Sequence, residues 1–372
     1  LGDVYKRQGI VIGFMLLQMG IALYNLRHPY TLPPSDEQII RQTSILIPAR
    51  NEEKTLPLLL NDLLRQSHLP LEIIVCDDHS DDRTYAIVNK LAAVCPYLRI
   101  FRSEDLPAGW LGKNFACHQL ARQAQGRYLL FLDADVRIGE VGIGRVITLA
   151  HKLQTGLLSV FPRQIMLSAG EKATVPLMTY ILLTLLPLSL VYKIADQSAL
   201  AAANGQFMLF EADSYHRLQP HWKVRSEAVE DVAISRLYKK AALSVACLTG
   251  IPDISCRMYT SRQEALSGFT RNIAGFFGGS LILATLFWLL TGWGWLFVGL
   301  AFSWPGLLFY FGIRGIIRIL VARTCCQSIH VNLIGSIPQQ ANLGSILLCA
   351  WLNRKKGYQI WKGRNILNQK QT

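Results

Sequence analysis

From residue 43 onward the chain alternates short apolar runs with segments whose leucines recur at helical spacing, and later gives way to long uncharged stretches. Residues 44–47 form a brief apolar run ending in Pro48. Residues 52–66 follow with Leu56, Leu59, Leu60, Leu63 and Leu64 on one helical face, and residues 71–75 are the next apolar run. Ser80 or Asp81 can cap a helix reaching Leu91, residues 98–101 predict a third strand, residues 113–125 another helix, and Tyr128–Leu132 a fourth strand. Residues 201–210 predict one more strand, led by Asn204 and Gly205. Residues 226–240 predict a helix with acids early and bases late, the polarity its dipole favours. Strand and helix repeating in this order make an α/β chain with a parallel sheet wound by crossovers.

The run at Tyr128–Leu132 is apolar at five consecutive positions, as in a strand covered on both faces, and it stops abruptly at Asp133, Ala134 and Asp135. Positions two apart on an extended chain point the same way, so the two carboxylates emerge together at the carboxyl end of the strand, the edge where open α/β sheets bind ligands. Such a pair suits Mg2+ or Mn2+ shared with the phosphates of a nucleotide. The second strand also ends in acids, Asp77 and Asp78, and the topology carries both ends to one edge.

The uncharged stretches add a membrane. Residues 9–26 carry no charge, follow Lys6 and Arg7 and precede Arg27 and His28, which predicts a signal anchor; no small-x-small cleavage site lies near residues 24–28. Lys172 and Lys193 bracket an uncharged segment holding Pro176 and Pro187. If it crossed, Glu230 and Asp231 would lie across the bilayer from Asp133, so a helix at 174–192 is expected to lie in the interface with its apolar side in lipid. Residues 272–313 accommodate two spans with a hairpin at 291–294, and Arg314, Arg318 and Arg323 then place the exit in the cytoplasm. Residues 331–352, interrupted by Pro338, Gln339, Gln340 and Asn342, read as re-entrant or interfacial. The expected organisation is an anchor at 1–30, a linker at 31–42, a catalytic domain at 43–272, two spans within 273–323 and a basic interfacial region and tail at 324–372.

Composition agrees. Hydrophobic residues make up 51% of the chain, high for a soluble enzyme and low for a bundle of spans. No Asp or Glu follows Glu264, whereas ten Lys or Arg do, against a net charge of +13. A basic tail beside apolar spans points to anionic headgroups rather than nucleic acid. The eight cysteines show no zinc-site spacing and read as reduced thiols.

The ordered motifs SILIPARNEE, VCDDHSDD, AGWLGKNFACHQLA, GRYLLFLDAD and VEDVAI resemble those of family 2 glycosyltransferases. GLLSV at 156–160, RMY at 257–259 and WKGR at 361–364 are most similar to the membrane-bound branch that includes carotenoid (diaponeurosporenoate) and hopanoid-associated glycosyltransferases. The resemblance implies a GT-A fold with a mixed nucleotide-sugar-binding sheet, an N-terminal anchor, a C-terminal transmembrane hairpin and a catalytic domain on the cytoplasmic side of the cell membrane. It implies a nucleotide-sugar donor, UDP-linked most readily, and a lipid acceptor from the bilayer. Pro48, Ala49, Arg50 and Glu52 would line the nucleoside pocket, and Asp77 or Asp78 would accept a hydrogen bond from the base. Lys113 would meet the diphosphate at a helix start, Asp133 and Asp135 would bind the metal, and Asp231, beside Glu230, would take the acceptor proton. A carboxylic acid acceptor is already ionised at neutral pH, so the presence of Asp231 points to a hydroxyl acceptor. His79 and His118 are expected to be structural.

The processive motif of this superfamily is missing: residues 262–272 read RQEALSGFTRN, without the Trp, which favours single transfers; Phe269 and Arg271 are candidates for the border of the acceptor site. Alternatives are a polyprenyl-phosphate or polysaccharide transferase, and an inactive scaffold with a nucleotide-binding domain. A nucleotidyltransferase would want a glycine-rich phosphate loop after the first strand, which residues 48–52 do not supply.

Overall fold

The computed structural model describes residues 2–140, 142–356, 360–361 and 364–365. Lys362 and Gly363 of the WKGR motif, and Lys370 of the basic tail, lie outside the described residues. The chain divides into two compact units, a sheet-bearing unit built mainly from Tyr30–Arg163 and Ser189–Met258, and a helical unit built from the described residues of Leu1–Pro29, Gln164–Leu188 and Tyr259–Gln359.

The sheet-bearing unit is organised by seven strands: β1 (Thr43–Ala49), β2 (Glu72–Asp77), β3 (Leu98–Arg102), β4 (Tyr128–Leu132), β6 (Leu157–Phe161), β7 (Phe207–Glu211) and β8 (Val245–Thr249). Two shorter strands, β5 (Val136–Ile138) and β9 (Ile254–Cys256), pair antiparallel beside it. The order across the large sheet is β3-β2-β1-β4-β7-β6-β8. β1 pairs in parallel with β2 and β4, whereas β7 runs antiparallel to both β4 and β6, so the sheet is mixed. All five residues of β4 are buried, as a strand flanked on both sides and covered on both faces must be. Helix Leu56–Leu64 buries Leu56, Leu59, Leu60 and Leu63 against this core, the face that its leucine spacing predicts. The strand expected over 201–210 begins only at Phe207, because Asn204 and Gln206 are tied down by side-chain and backbone bonds of their own. The predicted cap at Ser80 or Asp81 is also displaced: helix Thr84–Ala92 starts later, and Asp82 accepts the Thr84 N–H.

Among the described residues of the helical unit, three segments are long and apolar enough to cross a membrane: Gly9–Arg27, Leu281–Leu300 and Trp304–Thr324. The last two belong to one helical stretch, Leu281–Thr324, with Pro305 inside it. That stretch folds back on itself. The Tyr310 hydroxyl donates to the Thr291 carbonyl at 3.2 Å, although 19 residues separate them, about 28 Å along a straight helix. The reversal therefore falls between the two segments, after Leu300 and before Trp304, and not at 291–294, and Arg314, Arg318 and Arg323 lie within the second segment rather than beyond it. Counting uncharged residues ended the segment at the first arginine, whereas a helix in a bundle carries arginines when other helices shelter them.

The interfacial helix expected at 174–192 is broken in two, Pro176–Leu185 and Leu188–Lys193. The first is about 15 Å long, too short to cross. Its apolar residues are covered by protein instead of facing lipid: Leu177, Met178, Tyr180, Ile181 and Leu183 are all buried, and Asn25 of helix Gly2–Arg27 donates to the carbonyls of Leu183 and Leu186. Residues 331–352 form Ile329–Ile334 and most of Ser336–Lys356. The polar residues that interrupt them turn inward. Asn342 accepts from Arg262 and donates to Thr174, and Gln340 donates to Thr291.

Candidate active site

Four pieces of backbone meet at the carboxyl edge of the sheet: the end of β4, the turn before β7, and the starts of helices Gly112–Gln123 and Glu230–Lys240. Lys113 sits at the second position of its helix, and Glu230 and Asp231 occupy the first turn of theirs. Acids there are favoured by the amino-terminal end of the helix dipole.

Lys113 is the centre of the arrangement. Its Nζ lies 2.8 Å from Asp133 Oδ1 and 3.0 Å from Glu230 Oε1. Burial alone would lower the pKa of this lysine, but Asp133 and Glu230 outweigh it and hold the ammonium well above its usual range. Burial raises Asp133 above the usual carboxylate range, although the ammonium at contact distance opposes that rise. Asp135, two residues on, is pushed up to about 7 by burial and by the neighbouring Asp133. Its Oδ1 is buried and has no hydrogen-bond partner. A buried, unpartnered carboxylate oxygen beside a second carboxylate fits a hard divalent cation. Among the described residues no group of three or more His, Cys, Asp or Glu converges as a metal site, so the chain would offer these two carboxylates and leave the other positions to substrate oxygens.

Asp231 is held differently. Its Oδ2 accepts the Gly205 N–H at 2.9 Å and its Oδ1 accepts the Val232 N–H. Burial, then Glu230, raise it to about 7 against those two bonds and Lys113. Gly205 suits this crowding, since a Cβ there would stand 3.2 Å from both Lys113 Nζ and Glu230 Oε1 and press on them. The next residue, Gln206, accepts the Asp133 N–H on its carbonyl and donates its side chain to Cys256.

The first two motifs gather farther along the same edge. Pro48 and Ala49 stand in register with Cys76 and Asp77. Arg50 donates to the Asp78 carbonyl at 3.1 Å and lies 3.5 Å from its carboxylate. Glu52 donates its N–H to Thr84 and accepts from the Thr55 hydroxyl. Asp77 is 1% exposed, with Oδ1 unpartnered, and Asp78 is 6% exposed. Asn51 and His79 adopt left-handed backbone, which lets the two turns cross-bond through Asn51 and Ser80. His79 and His118 stay outside the carboxylate cluster; His118 stacks near Trp110. Phe269 is buried against Tyr259 within the helical unit.

The roles of two residues, Asn114 and Gly205, are not given by the sequence reading. Asn114, 1% exposed, donates to the carbonyls of Val224, Arg225 and Glu227 and so fixes the loop that delivers Glu230 and Asp231. Gly205 holds Asp231 from the opposite side. Both lay in quoted stretches, but their partners are distant in sequence and nothing local marks them.

The family model "Glycosyl transferase family 2" matches residues 44–210, from β1 through β7. The chain is 27% identical over 259 residues to the 4,4'-diaponeurosporenoate glycosyltransferase of Staphylococcus haemolyticus (strain JCSC1435), covering 68% of this chain and 67% of the relative. It is 27% identical over 285 residues to that of Staphylococcus aureus (strain MRSA252), covering 75% and 74%. Among solved structures, a mannosyltransferase from Pyrobaculum calidifontis in complex with GDP-Man and Mn2+ aligns with a TM-score of 0.59 at 15% identity, over 94% of this chain and 98% of that one, a likeness of fold. Residues 44–210 therefore match the family 2 glycosyltransferase domain, the fold is of the GT-A kind, and the chain that carries the match is a glycosyltransferase.

Proposed function

We propose that the chain moves a single sugar, with inversion, from a nucleotide-sugar donor to a lipid acceptor drawn from a membrane. The observation that supports this most is the juxtaposition of Asp133, Lys113 and Glu230 in one ion-paired cluster with Asp231 beside it. Donor-side and acceptor-side charges are thereby a few ångströms apart, the spacing a direct displacement needs.

In this reading Pro48, Ala49, Arg50 and Glu52 line the nucleoside pocket, and Asp77 or Asp78 accepts from the base. Asp133 and Asp135 would hold Mg2+ or Mn2+, which neutralises charge building on the departing diphosphate. Lys113 supplies a second positive charge there, released from Glu230 as the diphosphate enters. Asp231 takes the proton from an acceptor hydroxyl, and the freed oxygen attacks the anomeric carbon opposite the nucleotide. The bond to the diphosphate oxygen breaks with its electron pair, and the sugar inverts. A carboxyl near pH 7 is matched to that proton transfer.

A UDP-linked donor is our first choice, and the Mn2+ and GDP-Man of the aligned mannosyltransferase support a metal-assisted nucleotide-sugar site in this fold. The names of the relatives support an isoprenoid-like acceptor, carotenoid in kind. They also favour a second reading, a carboxylate-bearing acceptor, for which Asp231 would have little to do. Residues 1–30 act as the membrane anchor. The sheet faces the cytoplasm, with Arg323 and Arg354 following the positive-inside bias. The test is turnover of a panel of UDP- and GDP-sugars by detergent-solubilised protein with Mn2+. We expect one donor to be used, and Asp135→Ala to lower that turnover by about a thousandfold or more. Equal turnover in the variant would reject the assigned metal site.

A further inference from the structure

Arg318 lies inside the segment Trp304–Thr324, six residues before its end, about 9 Å along the helix. It is 1% exposed. Its Nη1 donates to Gln339 Oε1, and its guanidinium stacks 4.0 Å over the Tyr180 ring. Nε and Nη2 are buried and have no hydrogen-bond partner. Gln339 cannot turn to offer more, because its amide nitrogen is committed to the Lys172 carbonyl at 3.1 Å.

The helical unit contains almost nothing to neutralise this charge. Its acids are Asp3, Glu171 and Glu264, and none follows Glu264 in the sequence. Glu171 accepts from the N–H groups of Leu167 and Ser168 and from the Ser168 hydroxyl, and Glu264 accepts from Thr260. Among the described residues no carboxylate pairs with Arg318; the neighbouring charge is another cation, Arg314, which donates to the Ser336 carbonyl. A guanidinium buried without a counter-charge is strongly unfavourable, and a long side chain normally escapes by reaching water. Arg318 does not reach it. Two parallel N–H donors on a planar fork match one chemistry closely, an oxyanion.

We infer that Arg318 marks a binding site within the helical unit for the oxyanion, phosphate or carboxylate, of a membrane lipid. Nε and Nη2 receive it, Tyr180 packs against the guanidinium, and Gln339 holds Nη1 in place. The lipid source follows from position: the site is enclosed in a segment apolar enough to cross a bilayer, where an acyl or isoprenoid chain is at home and a free ion is not.

The test compares wild type with Arg318→Met in neutral detergent at 0.5 M NaCl, which screens the exposed basic residues but not a buried pair. Phosphatidylglycerol, oleate, phosphatidylcholine and inorganic phosphate are added separately, and Tm is read. We expect phosphatidylglycerol or oleate to raise the wild-type Tm by several degrees, with phosphatidylcholine and inorganic phosphate having little effect, and Arg318→Met to lose that response. An equal response in Arg318→Met, an equal response to inorganic phosphate, or no response in wild type would each overturn the assignment. If Arg318→Met does not fold, native mass spectrometry of the wild type decides. One retained anionic lipid per chain that survives in Arg354→Gln and is lost in Arg318→Lys supports the site; wild type without it, or retention in Arg318→Lys, removes it.

Discussion

Lys113 is half-buried at the sheet edge between two carboxylates, and Arg318 is fully buried in the helical unit beside an amide and an aromatic ring. Both are cations drawn into the protein, but only the first has its counter-charges in the chain. The sheet-bearing unit thus carries an ion-paired cluster which, in the proposed function, a substrate would rearrange, Lys113 passing from Glu230 to an incoming diphosphate. The helical unit carries an unbalanced charge that something from outside completes.

Replacing each cation by methionine separates the two cases. Lys113→Met leaves Asp133 and Glu230 facing each other, and we expect a loss of about 2–3 kcal/mol in stability together with a hundredfold or greater fall in kcat/KM. Arg318→Met removes a charge that nothing balances, and in lipid-free detergent its Tm should equal or exceed that of wild type. A Tm loss of the same size in both variants, read by differential scanning fluorimetry, would erase the contrast.

Next in size is Gly205→Ala. The added methyl would press on Lys113 and Glu230 at 3.2 Å and displace the N–H that holds Asp231. A shift of that order costs about a hundredfold in kcat, with donor binding changed far less. A fall in donor affinity alone would place Gly205 on the donor side instead.

The pH profile is the gentlest probe. Asp231 lies among Glu230, Lys113 and the N–H groups of Gly205 and Val232, and burial leads its rise to about 7. A base is useful only when deprotonated, so kcat/KM should climb about tenfold per pH unit below 7 and level above it. The same shift works against stability: a carboxyl raised on folding favours the folded state less as pH rises from its ordinary value to about 7, and Asp231→Asn should flatten that slope. A profile flat between pH 5 and 8 would mean an acceptor that arrives ionised.

The sheet was legible because its signals are local. Tyr128–Leu132 was predicted with the bounds it has, since a strand buried on both faces must be apolar throughout and Asp133 ends it. Asp133, Asp135, Glu230, Asp231 and Lys113 were named from motif and placement, and the fold brings all five together. What the sequence hid depends on packing. Leu177, Met178 and Ile181 look the same facing lipid as facing a neighbouring helix, and Gln339 and Asn342 looked like interruptions until their inward bonds were seen. The hairpin lies past the position that uncharged spacing predicts, because an arginine need not end a span: the bundle encloses Arg318.

The central claim is that Asp231 activates the acceptor at a donor site assembled around Asp133 and Lys113. The most direct measurement follows labelled sugar from the preferred donor into membrane lipid extract, for wild type and Asp231→Asn, with donor affinity measured in parallel. The account predicts donor affinity within about threefold and lipid-linked label reduced about a thousandfold. Undiminished label in Asp231→Asn would contradict it and leave the carboxylate-acceptor reading in its place.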